Sequence, residues 1–297
     1  MITEDFKNKA GELFPTLFNA DAQGNTLGSA TELWKTVSEK YVDETKKILA
    51  PVKDLILDVQ PDLQVRNPDA TPVVQVEVVK SVGDALIDAT DWNQSAVQNE
   101  YVDVKLHRVS RPFKLTMYDI MRGERIESKL GAAMNAVAQG VVGQFFTATS
   151  TAASEELTGF DAETAASLSG AFGAEAETDI LVIDPANYAK IVPTNGLSLD
   201  PKVEGTYGIG KIYKSLITTG KNAIALNKDA IAGAVATPEV LMNQPGTSVQ
   251  YLGEIAGIPM LLMAKFDFDT QCIKCSVETL AGFALTSSKH IKQYTIT

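Results

Sequence analysis

Apolar residues in the first part of the chain recur at helical spacing. Between Ser29 and Pro51 they lie three or four positions apart, which predicts a helix from about residue 29 to residue 50. Ser29 and Glu32 have the spacing of a capping box at its beginning. Pro51 is expected to end the helix, because proline cannot donate the next backbone hydrogen bond. Residues 1–28 are polar with scattered Phe and Leu, and we expect an arm there rather than a domain.

Two segments that follow are rich in β-branched residues and predict a ribbon of two strands, residues 73–82 and 101–109. The connection between them, residues 83–100, is far longer than a hairpin turn, and a loop of this length in a compact domain usually serves a function. A two-stranded ribbon alone is only marginally stable in water, so we expect this one to lie on a surface outside its own domain. Trp92 and Val97 are apolar residues near its tip and are candidate anchors on a second copy of the chain.

A long helix is predicted from about Met117 to Phe146, where the apolar period is again three to four residues. This segment also contains many small residues, and each glycine costs about 1 kcal/mol of helix propensity relative to alanine. We therefore expect packing to stabilise the helix, with small residues where neighbouring elements approach closely. The small residues expected at such contacts are Gly131, Ala136, Gly140 and Gly143.

The second half of the chain combines segments of helical and of strand character, and this combination predicts an α/β lobe. Residues 147–178 are expected to form a linker with a short helix, and residues 179–184 a buried strand. Asp184 then caps a helix that has Pro185 at its first position and continues to about Val192. The remaining predicted elements are strands at 211–218 and 223–226, a short helix at 229–235, and strands within 248–266, 271–285 and 290–297.

Composition and charge narrow the possible functions. The chain has 297 residues, of which 45% are hydrophobic and 21% charged, as in globular proteins with a sizeable core. Its net charge of −11 and its pI of about 4.8 argue against tight binding of nucleic-acid phosphates, which needs Lys and Arg on one face. The first residues contain no apolar signal segment. No run of about 18 apolar residues occurs, so we expect a cytosolic protein without a membrane span.

One stretch has the spacing of a phosphate-binding loop. Gly205, Gly210 and Lys211 match G-x-x-x-x-G-K, the pattern in which backbone N–H groups and the lysine bind nucleotide phosphates. However, Ile212 stands where the motif requires a Ser or Thr hydroxyl for magnesium, and residues 211–220 predict a strand where the motif requires a helix. A nucleotide-binding enzyme that uses the Gly205–Lys211 loop is therefore a disfavoured alternative.

The other reactive side chains form no recognisable site. Cys272 and Cys275 make a C-x-x-C, but they lie in a predicted strand, where residues three apart point to opposite faces. His107 and His290 are the only histidines, and neither lies near a G-x-S-x-G nucleophile motif. The sequence therefore predicts that the chain is not an enzyme, and it predicts no catalytic residue, cofactor or metal.

The order of the predicted elements resembles a known family. An arm, a helix, a long two-stranded loop, a long helix rich in small residues and an α/β lobe follow one another, and the chain then returns to β structure. Over nearly the whole chain this order resembles the major capsid protein of tailed bacteriophages, which has the Hong Kong 97 fold. Three stretches resemble the family locally: 101–120 at the entry to the long helix, 179–191 in the axial domain, and 251–266 with the pattern G-x-I-x-G-x-P.

The resemblance implies an α+β fold with an N-terminal arm, an extended β-hairpin loop, a long spine helix with a peripheral β-sheet, and an α/β axial domain. It implies that Gly208 and Gly210 lie in an axial-domain loop and are candidate contacts between subunits. The implied segments are 1–65 for the N-terminal arm and helix, 66–115 for the extended loop, 116–150 for the spine helix, 151–260 for the axial domain, and 261–297 for the return strands of the peripheral and axial domains.

The resemblance also implies a function. Many copies, arranged as pentamers and hexamers, would self-assemble into the icosahedral shell that encloses a double-stranded DNA phage genome. The implied location is the virion capsid, assembled in the host cytoplasm. The implied partners are copies of the chain itself, a separate scaffolding protein, portal and decoration proteins, and packaged DNA held without sequence-specific contacts. An encapsulin-type cargo shell shares the fold and stays an alternative.

Overall fold

The computed structural model describes residue 14 and residues 28–29, 32–60, 72–81, 98–122, 126–173, 176–192, 207–237, 247–267 and 269–297. The helices in these ranges are α1 Glu32–Lys53, α2 Met117–Arg122, α3 Ile126–Thr149, α4 Ala162–Ser167 and α5 Pro185–Ile191. The strands are β1 Gly28–Ser29, β2 Ile56–Gln60, β3 Val73–Ser81, β4 Gln98–Lys105, β5 His107–Leu115, β6 Ala153–Leu157, β7 Ile180–Ile183, β8 Lys211–Lys214, β9 Ala223–Leu226, β10 Ile231–Ala236, β11 Thr247–Ile255, β12 Ile258–Asp267, β13 Cys272–Leu285 and β14 Ile291–Ile296.

The described strands form two sheets and a ribbon. The seven-stranded sheet, which we call the large sheet, has the order β1-β11-β12-β13-β10-β2, and β5 pairs with the other edge of β13. The five-stranded sheet, which we call the small sheet, has the order β6-β14-β9-β7-β8. Strands β3 and β4 pair with each other as the ribbon. The mixture of helices and mixed sheets confirms the predicted α+β class.

Helix α3 lies against the large sheet and supplies much of its core. Its buried side chains recur at the predicted helical spacing and pack with the inward-facing residues of β13. Phe145 is fully buried, and its ring centroid lies 5.2 Å from that of Phe146 and 6.0 Å from that of Phe283 in β13. Helix α1 packs alongside, where the Thr45 hydroxyl contacts Asn135 Oδ1 at 2.8 Å. The predicted long helix is thus present from Ile126 to Thr149 and is stabilised by packing, whereas its predicted start at Met117 lies in the separate helix α2.

The small residues of α3 do not all serve close contacts. A Cβ at Gly131 would collide with the ring of Tyr41 in α1, and a Cβ at Gly140 would lie 2.6 Å from Val109 Cγ1 in β5. The prediction of close neighbours is therefore confirmed at these two positions. It is wrong for Gly143, where an added Cβ would meet no atom within 4 Å, because this residue borders an open groove.

The small sheet is buried on both faces. Ile180 and Val182 of β7, with Ile224 of β9, belong to the core that α3 shares with the large sheet. Leu181 and Ile183 point the other way, into a second core that α4 and α5 help to form. A strand buried on both faces has a continuous apolar sequence, which explains why all four residues of β7 are apolar.

The ribbon joins the large sheet through one continuous stretch of chain. Strand β4 is followed at Leu106 by β5, and the Leu106 N–H donates to Pro72 O at 2.8 Å, next to the start of β3. Val74 and Val76 are buried against Ala234 of β10. The expectation that the ribbon must lie on a surface outside its domain is therefore wrong for its base. For the tip it stays a prediction.

The ends of α1 differ from the prediction, whereas the start of α5 agrees with it. Helix α1 begins at Glu32, and Ser29 lies in β1, so the predicted start at residue 29 is wrong. Pro51 lies within the last turn, and the helix ends at Lys53. At α5 the Asp184 carboxylate accepts the N–H of Asn187 at 2.8 Å, which confirms the predicted cap.

Three segments in the second half correct the prediction. A strand, β10, replaces most of the helix predicted at 229–235, because a strand of Ala, Gly and Val buried between β13 and β2 overrides the helix propensity of alanine. Strand β6 lies within the segment predicted as linker with a short helix, and it pairs with β14, which is distant in sequence. Strand β8 ends at Lys214 rather than near residue 218.

Candidate assembly surfaces

The residues of the loop that resembles a phosphate site make contacts within the chain. Lys211 Nζ lies 2.6 Å from Asp54 Oδ1, just beyond the end of α1, and the Tyr213 hydroxyl donates to the other oxygen of Asp54. Ile212 is buried in β8, so a strand follows the glycines, as predicted. Gly205 lies outside the described residues. The lysine that would bind phosphate is thus bonded to a carboxylate.

This ion pair also links the two sheets. Partial burial raises the pKa of Asp54, but hydrogen bonds from Lys211 and Tyr213 and the charge of Lys211 lower it more, so the carboxyl pKa lies below its ordinary value. Asp54 directly precedes Leu55 and β2 of the large sheet, whereas Lys211 begins β8 of the small sheet. The contact therefore holds the edge of the small sheet against the end of α1.

The two glycines predicted to contact other subunits have roles within the chain. Gly208 has a φ of +74°, a conformation that L side chains rarely adopt. A Cβ at Gly210 would lie 2.7 Å from Asp179 O, and the Gly210 N–H donates to Thr178 O at 3.3 Å. Gly208 therefore allows the turn of this loop, and Gly210 lets the loop run close to the segment before β7. Their contact with other subunits stays a prediction.

Trp92 and Val97, the predicted anchors, lie outside the described residues. The strands that lead to them are described, and they present an exposed face with two large apolar side chains. Val73 is 48% exposed and Tyr101 is 61% exposed. This face of the ribbon is therefore a candidate surface for a second copy.

A second candidate surface is a groove of about 380 Å³ between α1, α3 and the segment after β8. Ile48, Val142 and Phe146 line it, together with Gly143. Leu216 lines the same groove and is 76% exposed, so it adds apolar surface to the exposed part of the groove. The groove can accept an apolar side chain from outside the chain.

The reactive side chains are placed as structural residues. Cys272 and Cys275 are buried in β13, and burial raises the pKa of the Cys275 thiol, which keeps it protonated. His107 is exposed at the start of β5. His290 has its ring centroid 6.4 Å from that of Phe172. Within the described ranges no three His, Cys, Asp or Glu side chains are grouped to bind a metal.

Two polar contacts were not anticipated from the sequence. Arg108 in β5 makes two hydrogen bonds, at 2.8 and 2.7 Å, to the buried carboxylate of Glu278 in β13. These residues are 170 positions apart, so no local pattern could have paired them. Thr116 and Asp119 form a reciprocal cap at the start of α2, and this T-x-x-D spacing is a local signal that a search for capping boxes could find.

No helix in the described part of the chain combines the length and apolar character needed to cross a membrane. No family model and no curated protein matches the sequence. Solved structures do match. The virus-like particle from Pyrococcus furiosus is 14% identical, with a TM-score of 0.56 over 89% of this chain and 98% of that one.

Two further structures have lower scores. The capsid of cyanophage P-SCSP1u is 12% identical, with a TM-score of 0.49 over 82% of this chain and 86% of that one. The structure of Mycobacterium phage Che8 is 13% identical, with a TM-score of 0.47 over 76% of this chain and 85% of that one. The likeness to the Pyrococcus particle covers 89% of this chain, so it concerns the architecture as a whole rather than one element. The chain therefore has the Hong Kong 97-like capsid fold.

Proposed function

We propose that this chain is a structural shell protein, the major capsid protein of a tailed bacteriophage. Its copies form pentamers and hexamers that close into an icosahedral shell around double-stranded DNA, and its role is structural rather than catalytic. The observation that carries the proposal is the likeness to a virus-like particle subunit over 98% of that subunit's length. A fold shared over this length supports shared use of the whole subunit rather than of one embedded domain.

The proposal gives each sheet a place in the shell. The large sheet with α3 is the peripheral domain, and the small sheet with α4 and α5 is the axial domain that packs around the five- and six-fold axes. On this assignment β10 and β11 belong to the peripheral domain, although they lie within the segment 151–260 predicted as axial. Gly208 and Gly210 then lie in an axial loop next to β8, as the resemblance implies.

The first experiment asks whether the chain alone forms a shell. The purified protein is sedimented and viewed by electron microscopy, and we expect closed icosahedral particles. A species that stays monomeric, or that forms only small oligomers even at high protein concentration and with crowding agents, would contradict the proposal. A separate scaffolding protein is one proposed partner, so expression with the neighbouring genes of its source is the matched second condition.

The contents of the particle separate the two kinds of shell. We propose a DNA-containing virion assembled in the host cytoplasm, with portal and decoration proteins as further partners. The net charge of −11 supports a wall that does not bind DNA tightly. Particles isolated from the natural source should contain double-stranded DNA. Particles that contain a defined protein and no DNA would instead support the encapsulin-type cargo shell.

We also propose that the ribbon tip anchors on a second copy through Trp92 and Val97. Aromatic anchors often dominate such contacts, and their truncation costs about 2 kcal/mol or more. Trp92→Ala should therefore lower the yield of particles while leaving the circular dichroism of the subunit unchanged. Tyr118→Ala, which removes an exposed aromatic ring outside the ribbon, is the matched control. Normal assembly of Trp92→Ala would refute the anchor without refuting the shell.

A further inference from the structure

Strand β5 gives the large sheet a basic edge. Among the described strands it pairs only with β13, so its other edge faces outward. Arg111 and Lys114 are exposed along it, as is Arg108, whose charge is paired with the Glu278 carboxylate, and residues 104–118 contain no Asp or Glu. The charge of this edge contrasts with the net charge of −11 of the whole chain.

Lysines extend this basic edge across the neighbouring strands. Lys114 of β5 lies directly opposite Lys274 of β13, and Lys274 lies directly opposite Lys265 of β12. Neighbouring strands are about 4.8 Å apart, and like charges in directly opposed positions destabilise a sheet. Asp267 is bonded to Lys274 at 2.6 Å, and Asp269 lies near it, so the row is only partly neutralised within the subunit.

Strand β6 gives the small sheet an acidic edge. Among the described strands it pairs only with β14, and it exposes Glu155 and Glu156. Asp161 and Glu163, at the start of α4, add two exposed carboxylates close by in sequence. Lys292 lies 2.9 Å from Glu155 and neutralises part of this charge.

We propose that the basic edge of one copy docks through its charged side chains against the acidic edge of a second copy. Two edges of the same sign repel, so β5 against β5 and β6 against β6 are both disfavoured, while β5 against β6 is attractive. A contact between two different surfaces of the same chain is head-to-tail, and such contacts generate rings when the rotation closes. The inference rests on the proposed shell function and names the surfaces that form its rings.

The physical role of this contact is to choose the partner surface and its register. An exposed ion pair contributes only about 0–1 kcal/mol, so the other contacts between subunits supply most of the affinity of the shell. Complementary charges increase the association rate and exclude wrong orientations. Assembly should therefore slow as the salt concentration rises, because salt screens exposed charges.

The test is charge reversal with rescue. Lys114→Glu with Lys265→Glu should lower the yield of particles at least about tenfold, since about 1.4 kcal/mol changes an association constant tenfold. Glu156→Lys with Glu163→Lys should do the same. The chain that carries all four changes should assemble again, because the four reversed positions again have opposite charges on the two edges. Lys228→Glu with Lys289→Glu, two exposed lysines elsewhere, makes the same change in net charge and should assemble normally.

Thermal unfolding of the subunit distinguishes docking from folding. Lys114→Glu and Lys265→Glu turn a row of three like charges into an alternating row, so the melting temperature of the variant should equal or exceed that of the original subunit. A stable variant that does not assemble therefore supports the proposal. A reversed variant that assembles at the original level would overturn it, and so would a variant that keeps its particles but loses bound nucleic acid, since the basic edge would then be a polyanion site.

Carbodiimide cross-linking tests the docking of the two edges independently of shell formation. In a mixture of two isotopically labelled populations, we expect bonds between Lys114 or Lys265 of one copy and Glu156 or Glu163 of another. Such bonds in an original chain that forms only small oligomers would support the docking and refute the shell. Closed particles without these bonds would support the shell and refute the docking. If only Asp88→Lys with Asp91→Lys restored the assembly of the Lys114→Glu, Lys265→Glu variant, the partner of the basic edge would be the loop between β3 and β4, and docking on β6 would be refuted.

Discussion

The large sheet and the small sheet bury their residues in different ways. The small sheet has apolar side chains on both faces of β7 and β9, and exposes charge mainly at its edge strand β6. The large sheet has one face buried under α3 and α1, and its other face is partly covered by the ribbon, which leaves a row of lysines in β5, β12 and β13 exposed. Charge on a sheet face can contact a partner over several strands, whereas charge on an edge strand offers one line. The difference indicates that the large sheet presents the broader contact surface.

The largest effect should come from the shared core under the large sheet. Phe145→Ala removes a fully buried ring that contacts Phe146 and Phe283, so the free energy of unfolding should fall by about 3–5 kcal/mol. Urea unfolding of the subunit measures this loss. A loss below about 1 kcal/mol would mean that α3 does not hold the large sheet as described.

A truncation in the second core, on the other face of the small sheet, should lower the free energy of unfolding by a comparable or smaller amount. Leu181→Ala removes a fully buried side chain of β7, and we expect a loss of about 2–5 kcal/mol. Hydrogen exchange of β7 and β13 in each variant sharpens the comparison. If Leu181→Ala loosens β7 while β13 keeps its protection, the sheets open separately; equal loosening of both strands would show one cooperative unit.

Two glycines of α3 form a matched pair. Gly140→Leu should cost about 1–3 kcal/mol, because its side chain must enter the space of Val109 in β5. Gly143→Ala faces open space and should raise stability by up to about 1 kcal/mol through helix propensity. Melting temperatures of the two variants check the difference. Stabilisation by Gly140→Leu would mean that α3 does not pack closely on β5.

The cap of α2 predicts that the free energy of unfolding depends on pH. Partial burial raises the pKa of Asp119, but hydrogen bonds from Lys129 and Thr116 outweigh it and lower the pKa to about 2. A carboxyl whose pKa is lower in the folded state stabilises it above the ordinary value of 3.8, and this contribution is lost as the pH falls from about 4 to about 2. Asp119→Asn should cost about 1–2 kcal/mol at neutral pH. It should also reduce the acid dependence in that window, as measured by urea unfolding at each pH.

The smallest effect on stability is expected from the ion pair between Lys211 and Asp54, which links the two sheets. Lys211 is 43% exposed and Asp54 20%, so the pair should contribute about 0.2–1 kcal/mol. A double-mutant cycle with Lys211→Ala and Asp54→Asn measures the coupling between them. A calorimetric titration with ATP and magnesium is the companion experiment, and micromolar binding that Lys211→Ala abolishes would revive the nucleotide alternative.

The sequence predicted the elements whose pattern is local. Helix α3 follows from apolar periodicity, strand β7 from a short continuous apolar run, and the Asp184 cap from the residues beside it. Strand β10 was missed because Ala and Gly favour a helix or no structure unless a sheet surrounds them on both sides. Gly208 and Gly210 stay predicted contacts, and their roles within the chain, a positive φ at Gly208 and the close approach of Gly210 to Asp179, depend on tertiary structure.

The missed contacts share one cause, which is distance along the chain. Strand β6 has an exposed, polar sequence that resembles a linker, and only pairing with β14 makes it a strand. Arg108 and Glu278 show the same limit, since their pairing depends on the register of β5 against β13. No window of local sequence contains both partners. The charged edges could therefore be recognised only after the sheets were placed.

The pairing of β6 with β14 also determines when the small sheet can form during synthesis of the chain. Ala153 lies opposite Lys292, so β6 leaves the ribosome long before its neighbour has been made. At a synthesis rate of roughly 5–20 residues per second, the delay is on the order of 10 s. During that time the segment 153–157 has no partner strand, and the charges of Glu155 and Glu156 oppose its pairing with other chains. The small sheet is completed only when residues 291–296 have been made, so a nascent chain cannot join a shell before its own translation has passed this point.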